Sequence, residues 1–251
     1  QLTPKYYYYE DDYTVPPFGL MNTGVICWCN SILQLLLGCS SLNKILLEYE
    51  HEFAGNPFAT EYIRVLKSLV PKSMKPFTAA PSLAQTSINL LRELKKLARP
   101  GSTWGSDEEC ADEALTLIID AFGDKRVKKL FTNVYELTIE CKSCNRTVSS
   151  RRDTSYRVEL FTHFKFTNEQ DFCTFIRTHP SHCDIYRCEN CGTVMSNFYR
   201  IECLKMLREI VIVVFNKFQS KDNRWFPSEL RFKSKAGPDL VYALIGKVEH
   251  A

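Results

Sequence analysis

Two cysteine pairs, Cys141 with Cys144 in IECKSCNR and Cys188 with Cys191 in YRCENCGT, constrain the folding of this chain more than any other feature. Each C-x-x-C turn points two sulfurs at one place. Two such turns supply the four soft ligands that a tetrahedral zinc ion accepts with no redox cost. The pairs are far apart in sequence, with the strand-like TSYRVELF between them, so the fold must bring two distant knuckles together at the tip of a sheet. Four thiolates leave no open coordination position, which makes the predicted zinc structural. Ordinary buried cysteines or a redox dithiol are the competing readings, and His182 or Cys183 in HPSHCD are substitute ligands.

The redox context favours metal. Eleven cysteines is an odd number in a chain of 251 residues, which is large enough to bury a core without disulfide staples. Reduced thiols, and hence a cytosolic or nuclear setting, are expected. Formal charge is only +3, which gives no reason to expect nucleic acid as a partner. No apolar run reaches the roughly 18 residues of a membrane helix, and QLTPKYYYYEDDY lacks the basic start and apolar stretch of a signal peptide. A chain beginning with Gln is expected to be a piece of a longer protein.

From Gly19 to about Asp124 the apolar spacing is helical. NSILQLLLGCSSLNKILLEY reads as a helix with one wide buried stripe and Asn30 or Ser31 as its cap; EYIRVLKSLV, SINLLRELKKLA and DEECADEALTLIIDAF follow the same period. After about Val127, FTNVYELTIEC, TSYRVELF, FYRIECL and REIVIVVFNKF are rich in β-branched and aromatic residues and predict strands. The expected class is α+β, with a mostly helical first half and a mostly β second half.

Where loop turns to helix, GLMNTGVICWCNSILQ places Cys27 and Cys29 one residue apart. A thiol attacks as thiolate, and the unpaired N–H groups and positive dipole end of a helix start favour the anion. Cys27 has that placement, and Asn22, across Gly24, is near enough in sequence to give an oxyanion a side-chain donor. Spacing alone does not separate Cys27 from Cys29.

This stretch resembles the cysteine box of the ubiquitin-specific proteases, GLxNxGxTCYxNSxLQ. The match includes Asn22, Gly24, Cys27, Asn30, Ser31 and Gln34; Ile26 and Trp28 depart from it. The resemblance implies that Cys27 is the nucleophile and Asn22 the oxyanion donor. EECADEAL is similar to the family's QQDAxEFL segment at Ala111, Glu113 and Leu115, which makes Glu113 and Glu109 candidate partners of the arginine-bearing ubiquitin tail. REIVIVVFNKF with FPSEL, and VYALIGKVEH, resemble the strands that follow, and the C-x-x-C pairs sit where the family keeps the zinc of its fingers.

The implied fold is a papain-like cysteine protease with an N-terminal arm (1–18), a helical thumb (19–126), zinc-bearing β fingers (127–204) and an incomplete set of β palm strands (205–251). The implied activity is that of a monomeric deubiquitinating thiol hydrolase acting on ubiquitin or ubiquitinated proteins, in cytoplasm or nucleus. A protease for a ubiquitin-like modifier, or a ubiquitin-binding module with a degenerate or severed site, are the alternatives. An intact Cys27 and Asn22 favour the enzyme, since a pure binder needs neither.

A cysteine hydrolase also needs a base for the thiol and an acid for the leaving amine, usually one histidine. Of five histidines, His51 follows an acidic helix end, His163 lies in FTHFKF, and His179 and His182 border Pro180 in an expected finger loop. His250 is the remaining candidate. VYALIGKVEH nevertheless resembles a strand whose terminal His precedes the family's catalytic GHY, so the true base is expected beyond Ala251.

Overall fold

The computed structural model describes residues 13, 15, 20, 27–69, 83–97, 111–141, 143–161, 168–182, 187–194, 198–206, 208–216, 227, 229–232 and 240–244. The chain divides into two compact units, with breaks after Leu130 and after Ala243. The first contains α1 (Cys27–Leu37), α2 (Ser40–Glu48), a 3-10 turn (Glu50–Phe53), α3 (Pro57–Leu69), α4 (Leu83–Leu97), α5 (Ala111–Ala121) and nearly all of α6 (Lys125–Phe131).

NSILQLLLGCSSLNKILLEY forms two helices instead of one. Gly38 and Cys39 interrupt it, with Cys39 extended at φ −88°, ψ 95°. The break is stabilised from inside: Asn43, completely buried, donates from Nδ2 to Leu37 O at 2.8 Å and to Tyr13 O at 2.9 Å. One orphan carbonyl at the end of α1 is thereby satisfied. Nor do Asn30 or Ser31 cap α1, because the helix already runs from Cys27; Ser31 Oγ donates back to Cys27 O at 2.8 Å.

The core of this unit forms where the apolar stripes meet. Leu33, Leu42, Leu46, Phe58, Tyr62, Leu66 and Phe122 are all at 2% exposure or less. The Phe122 ring stands edge-on to Phe58 and Tyr62, with centroids 5.2 and 5.0 Å away. Fully burying such side chains contributes about 1.5–3 kcal/mol each. Asn56 joins two helices: its Oδ1 accepts from Ala59 N at 3.0 Å as the cap of α3, and its Nδ2 donates to Ala121 O and Phe122 O at 2.7 and 3.0 Å, where α5 ends. Asn56→Ala is therefore expected to cost about 1–2 kcal/mol in a denaturant titration. Asn56→Asp should not rescue it, because a carboxylate would face two carbonyl oxygens.

The second unit holds a four-stranded antiparallel sheet in the order β2-β1-β5-β4, from β1 (Asn133–Cys141), β2 (Arg146–Ser155), β4 (Thr178–His182) and β5 (Phe198–Met206). β3 (Arg157–Phe161) pairs in parallel with β6 (Ile212–Asn216), and β7 (Glu229–Phe232) pairs with β8 (Leu240–Ala243). Tyr135, Leu137, Val158, Leu230 and Phe232 form its core together with Phe172, Cys173 and Ile176 of α7 (Glu169–Arg177).

Two further features differ from the sequence reading. α7 is a helix inside the β half, started by Asn168, whose side chain accepts from Asp171 N at 2.9 Å. The segment expected as a finger loop around Pro180 is the edge strand β4, where a proline without an N–H can face away from the ladder. β5 runs continuously through residues 204 and 205, and α6 carries helix on to Phe131.

Candidate active site and metal centre

Cys27 is the first residue of α1 and is exposed, whereas Cys29 is buried at 1% exposure. At 3.6 residues per turn, side chains two positions apart point about 160° away from each other, and on α1 the Cys29 sulfur falls on the packed side while Cys27 is left exposed. Burial pushes the Cys29 thiol up to about 12, which makes it inert near neutrality. The distinction that spacing left open is thus a consequence of which face of α1 carries Trp28, Ile32, Leu33 and Leu36 into the core.

α1 packs against α5, whose Ala114, Leu115, Ile118 and Ile119 are buried. Glu113 is exposed in the first turn of α5, where a carboxylate also suits the helix dipole. Asn22, Glu109, His163 and His250 lie outside the described residues. His51 is exposed in the 3-10 turn, and His179 and His182 belong to β4.

The second unit brings Cys141, Cys144, Cys188 and Cys191 together, with all four sulfurs within 4.8 Å of one another. Cys141 Sγ lies 3.6 Å from Cys191 Sγ, and Cys144 Sγ 3.8 Å from Cys188 Sγ. Tetrahedral zinc with sulfurs at about 2.3 Å requires sulfur–sulfur edges of about 3.8 Å, so the donor set fits. The two turns are built alike. Asn145 N donates to Cys141 O at 2.7 Å with Asn145 at φ 53°, and Gly192 N donates to Cys188 O at 2.8 Å with Gly192 at φ 72°. In each, the residue after the second cysteine takes the left-handed conformation, for which Gly and Asn are suited.

A second set of groups, not identified in the sequence, tunes these sulfurs. Asn190 holds the Cys144 thiol below its ordinary value, and its Oδ1 accepts from Arg146 Nη1 at 2.9 Å, linking one knuckle to the other. Thr193 brings Cys191 down to about 6, while burial pushes Cys141 up to about 11. Only the spacing C-x-x-C-x-T and the polar Asn190 within the turn hinted at these supports.

The chain matches the profile of the family described as ubiquitin carboxyl-terminal hydrolase over residues 18–250. Ubiquitin carboxyl-terminal hydrolase 25 of Arabidopsis thaliana is 24% identical over 279 residues, covering 94% of this chain and 40% of the relative. A chain of the SAGA Ubp8/Sgf11/Sus1/Sgf73 DUB module bound to ubiquitin aldehyde has a TM-score of 0.65 at 17% identity, covering 92% of this chain and 58% of that one. A chain of the yeast SAGA DUB module has a TM-score of 0.64 at 18% identity, with 92% and 57% covered. At these identities the likeness shows the fold, which is the α+β, papain-like one. The chain spans less than half of the curated relative and little more than half of these solved chains.

Proposed function

The chain belongs to the ubiquitin carboxyl-terminal hydrolase family, and from that premise we propose that it is a deubiquitinating thiol hydrolase, cleaving after ubiquitin's C-terminal glycine through a thioester on Cys27. The observation that carries this reading is the contrast on α1: Cys27 is exposed at the helix start and Cys29 is sealed in the core. The Cys27 thiolate attacks the carbonyl carbon, and the C–N bond breaks as the general acid, expected to be a histidine, gives its proton to the leaving amine. The same group, now a base, takes a proton from the water that hydrolyses the thioester to free carboxylate and Cys27. Asn22 donates to the oxyanion in both tetrahedral steps. Glu113, exposed on the helix packed against α1, and Glu109 meet the basic tail of ubiquitin.

Zinc is the metal proposed for the four cysteines, since four sulfurs with tetrahedral edges suit it and leave no position for substrate. Its role is to hold the two knuckles together. A cytoplasmic or nuclear setting belongs to the same reading, because a reducing compartment keeps such thiols available to zinc.

The deciding experiment is reaction of the purified chain with ubiquitin carrying a C-terminal electrophile, set beside the same warhead on ubiquitin-like modifiers. A covalent adduct with ubiquitin, mapped to Cys27, is expected. An adduct on another cysteine, preference for another modifier, or binding without any adduct would each overturn a specific part of the assignment. In protein that also carries the general base, Asn22→Ala should slow turnover by roughly a hundredfold to a thousandfold, the scale for losing one oxyanion donor, with binding of intact ubiquitin unchanged. An unaltered rate would leave the oxyanion to backbone donors.

A further inference from the structure

We infer that the outer edge of β2 is a docking edge for an acidic, extended segment of a partner protein, which adds to the four-stranded sheet as a further strand. The two edges of this sheet are built differently. β4 is five residues long and carries Pro180, which shortens and blunts that edge. β2 runs ten residues, RTVSSRRDTS, with neither proline nor glycine, and among the described residues its sheet partner is β1 alone. A register shift opposite Ile139 and Glu140 leaves Ser149–Ser155 in regular pairing, and Ser150 to Thr154 are exposed. Backbone donors and acceptors on such an edge are a template for another strand.

Charge selects the occupant. Arg146, Arg151 and Arg152 are exposed along β2, against Asp153 alone. Successive strand residues point to opposite faces, so Arg151 and Arg152 present cations on both sides of the edge. The carboxylate opposite Arg152 in register, Glu136, is already paired with Lys205 at 2.6 Å. Arg151 meets Asp153 only at 3.6 Å. A second copy of this chain would bring an edge of the same net positive charge, three arginines against one aspartate, whereas a strand carrying Asp or Glu on both faces would meet them favourably. The edge belongs to the compact unit that does not contain Cys27.

The test uses the full chain and a capped, fluorescent peptide of about ten residues alternating Glu and Thr. It is compared with the same peptide N-methylated at every second amide, and with an oligoribonucleotide of equal charge. Arg151→Glu with Arg152→Glu should weaken peptide binding by at least about tenfold while leaving zinc content and reaction with electrophilic ubiquitin unchanged. N-methylation should weaken binding to the unmodified protein at least as much, because it removes strand donors without altering charge. Equal binding of the N-methylated peptide, tighter binding of the oligoribonucleotide, insensitivity to the double substitution, or no binding at about millimolar peptide would overturn the proposal.

Discussion

In protein that also carries the general base, Cys27→Ala is expected to abolish turnover of ubiquitin conjugates, with a loss approaching a millionfold, the scale for deleting a nucleophile. No covalent adduct should form with electrophilic ubiquitin, while non-covalent capture of ubiquitin survives, since an exposed side chain at the head of α1 contributes little to the core. Cys29→Ala gives the complementary result. Its thiol, buried at 1% exposure and pushed up to about 12, is out of reach of substrate, so activity should persist and only stability should fall, by about 1 kcal/mol. Alanine is the better probe here, because serine would bury a hydroxyl among Trp28, Ile32 and Leu33. Activity retained in Cys27→Ala but lost in Cys29→Ala, with the fold intact, would reverse the two roles.

The second large effect concerns the metal. Freshly purified, reduced protein should contain one zinc per chain, and Cys188→Ser should remove it. Among the described residues the knuckle region has almost no apolar core of its own: Cys141 and Cys188, at 0% and 1% exposure, are buried there, packed with Ile139 and Cys144. In zinc-finger peptides the metal supplies about 10–16 kcal/mol of apparent folding energy. Without it, the turn between β1 and β2 and the bridge between Arg187 and Val194 lose what holds them together. Amide exchange should therefore accelerate from Ile139 to Arg146 and from Arg187 to Val194 while α1, α3 and α5 stay protected, because the Phe58, Tyr62 and Phe122 core lies in the other compact unit. Reduced protein with no zinc, or a variant in which the helices open before the knuckles, would refute the assignment.

Much of this site was legible because its information is local. The C-x-x-C pairs specify turns that aim sulfurs, and the cysteine box from Gly19 to Gln34 sets a thiol at a helix start; both are short-range patterns. Helical periodicity identified α3, α4 and α5, and β-branched runs identified β1, β5 and β6, for the same reason. The break at Gly38 was less visible, since apolar residues keep a helical spacing on both sides of it and the buried Asn43 amide that stabilises it comes from the following helix. α7 was missed although Asn168, Asp171, Phe172 and Ile176 form a capped amphipathic turn, because it is short and embedded among strands.

The sequence by itself determined the chemical inventory: four cysteines at zinc-knuckle spacing, two thiols near a helix start, and a helical first half followed by a strand-rich second half. Tertiary structure decided which groups meet and which are hidden. Only packing of α1 on its neighbours buries Cys29 and exposes Cys27, and only antiparallel pairing of β1 with β2 and β5 orders the strand ends that converge at Cys141. Side-chain type is a local property, but burial and long-range register depend on contacts between residues far apart in the chain, and no short pattern carries those.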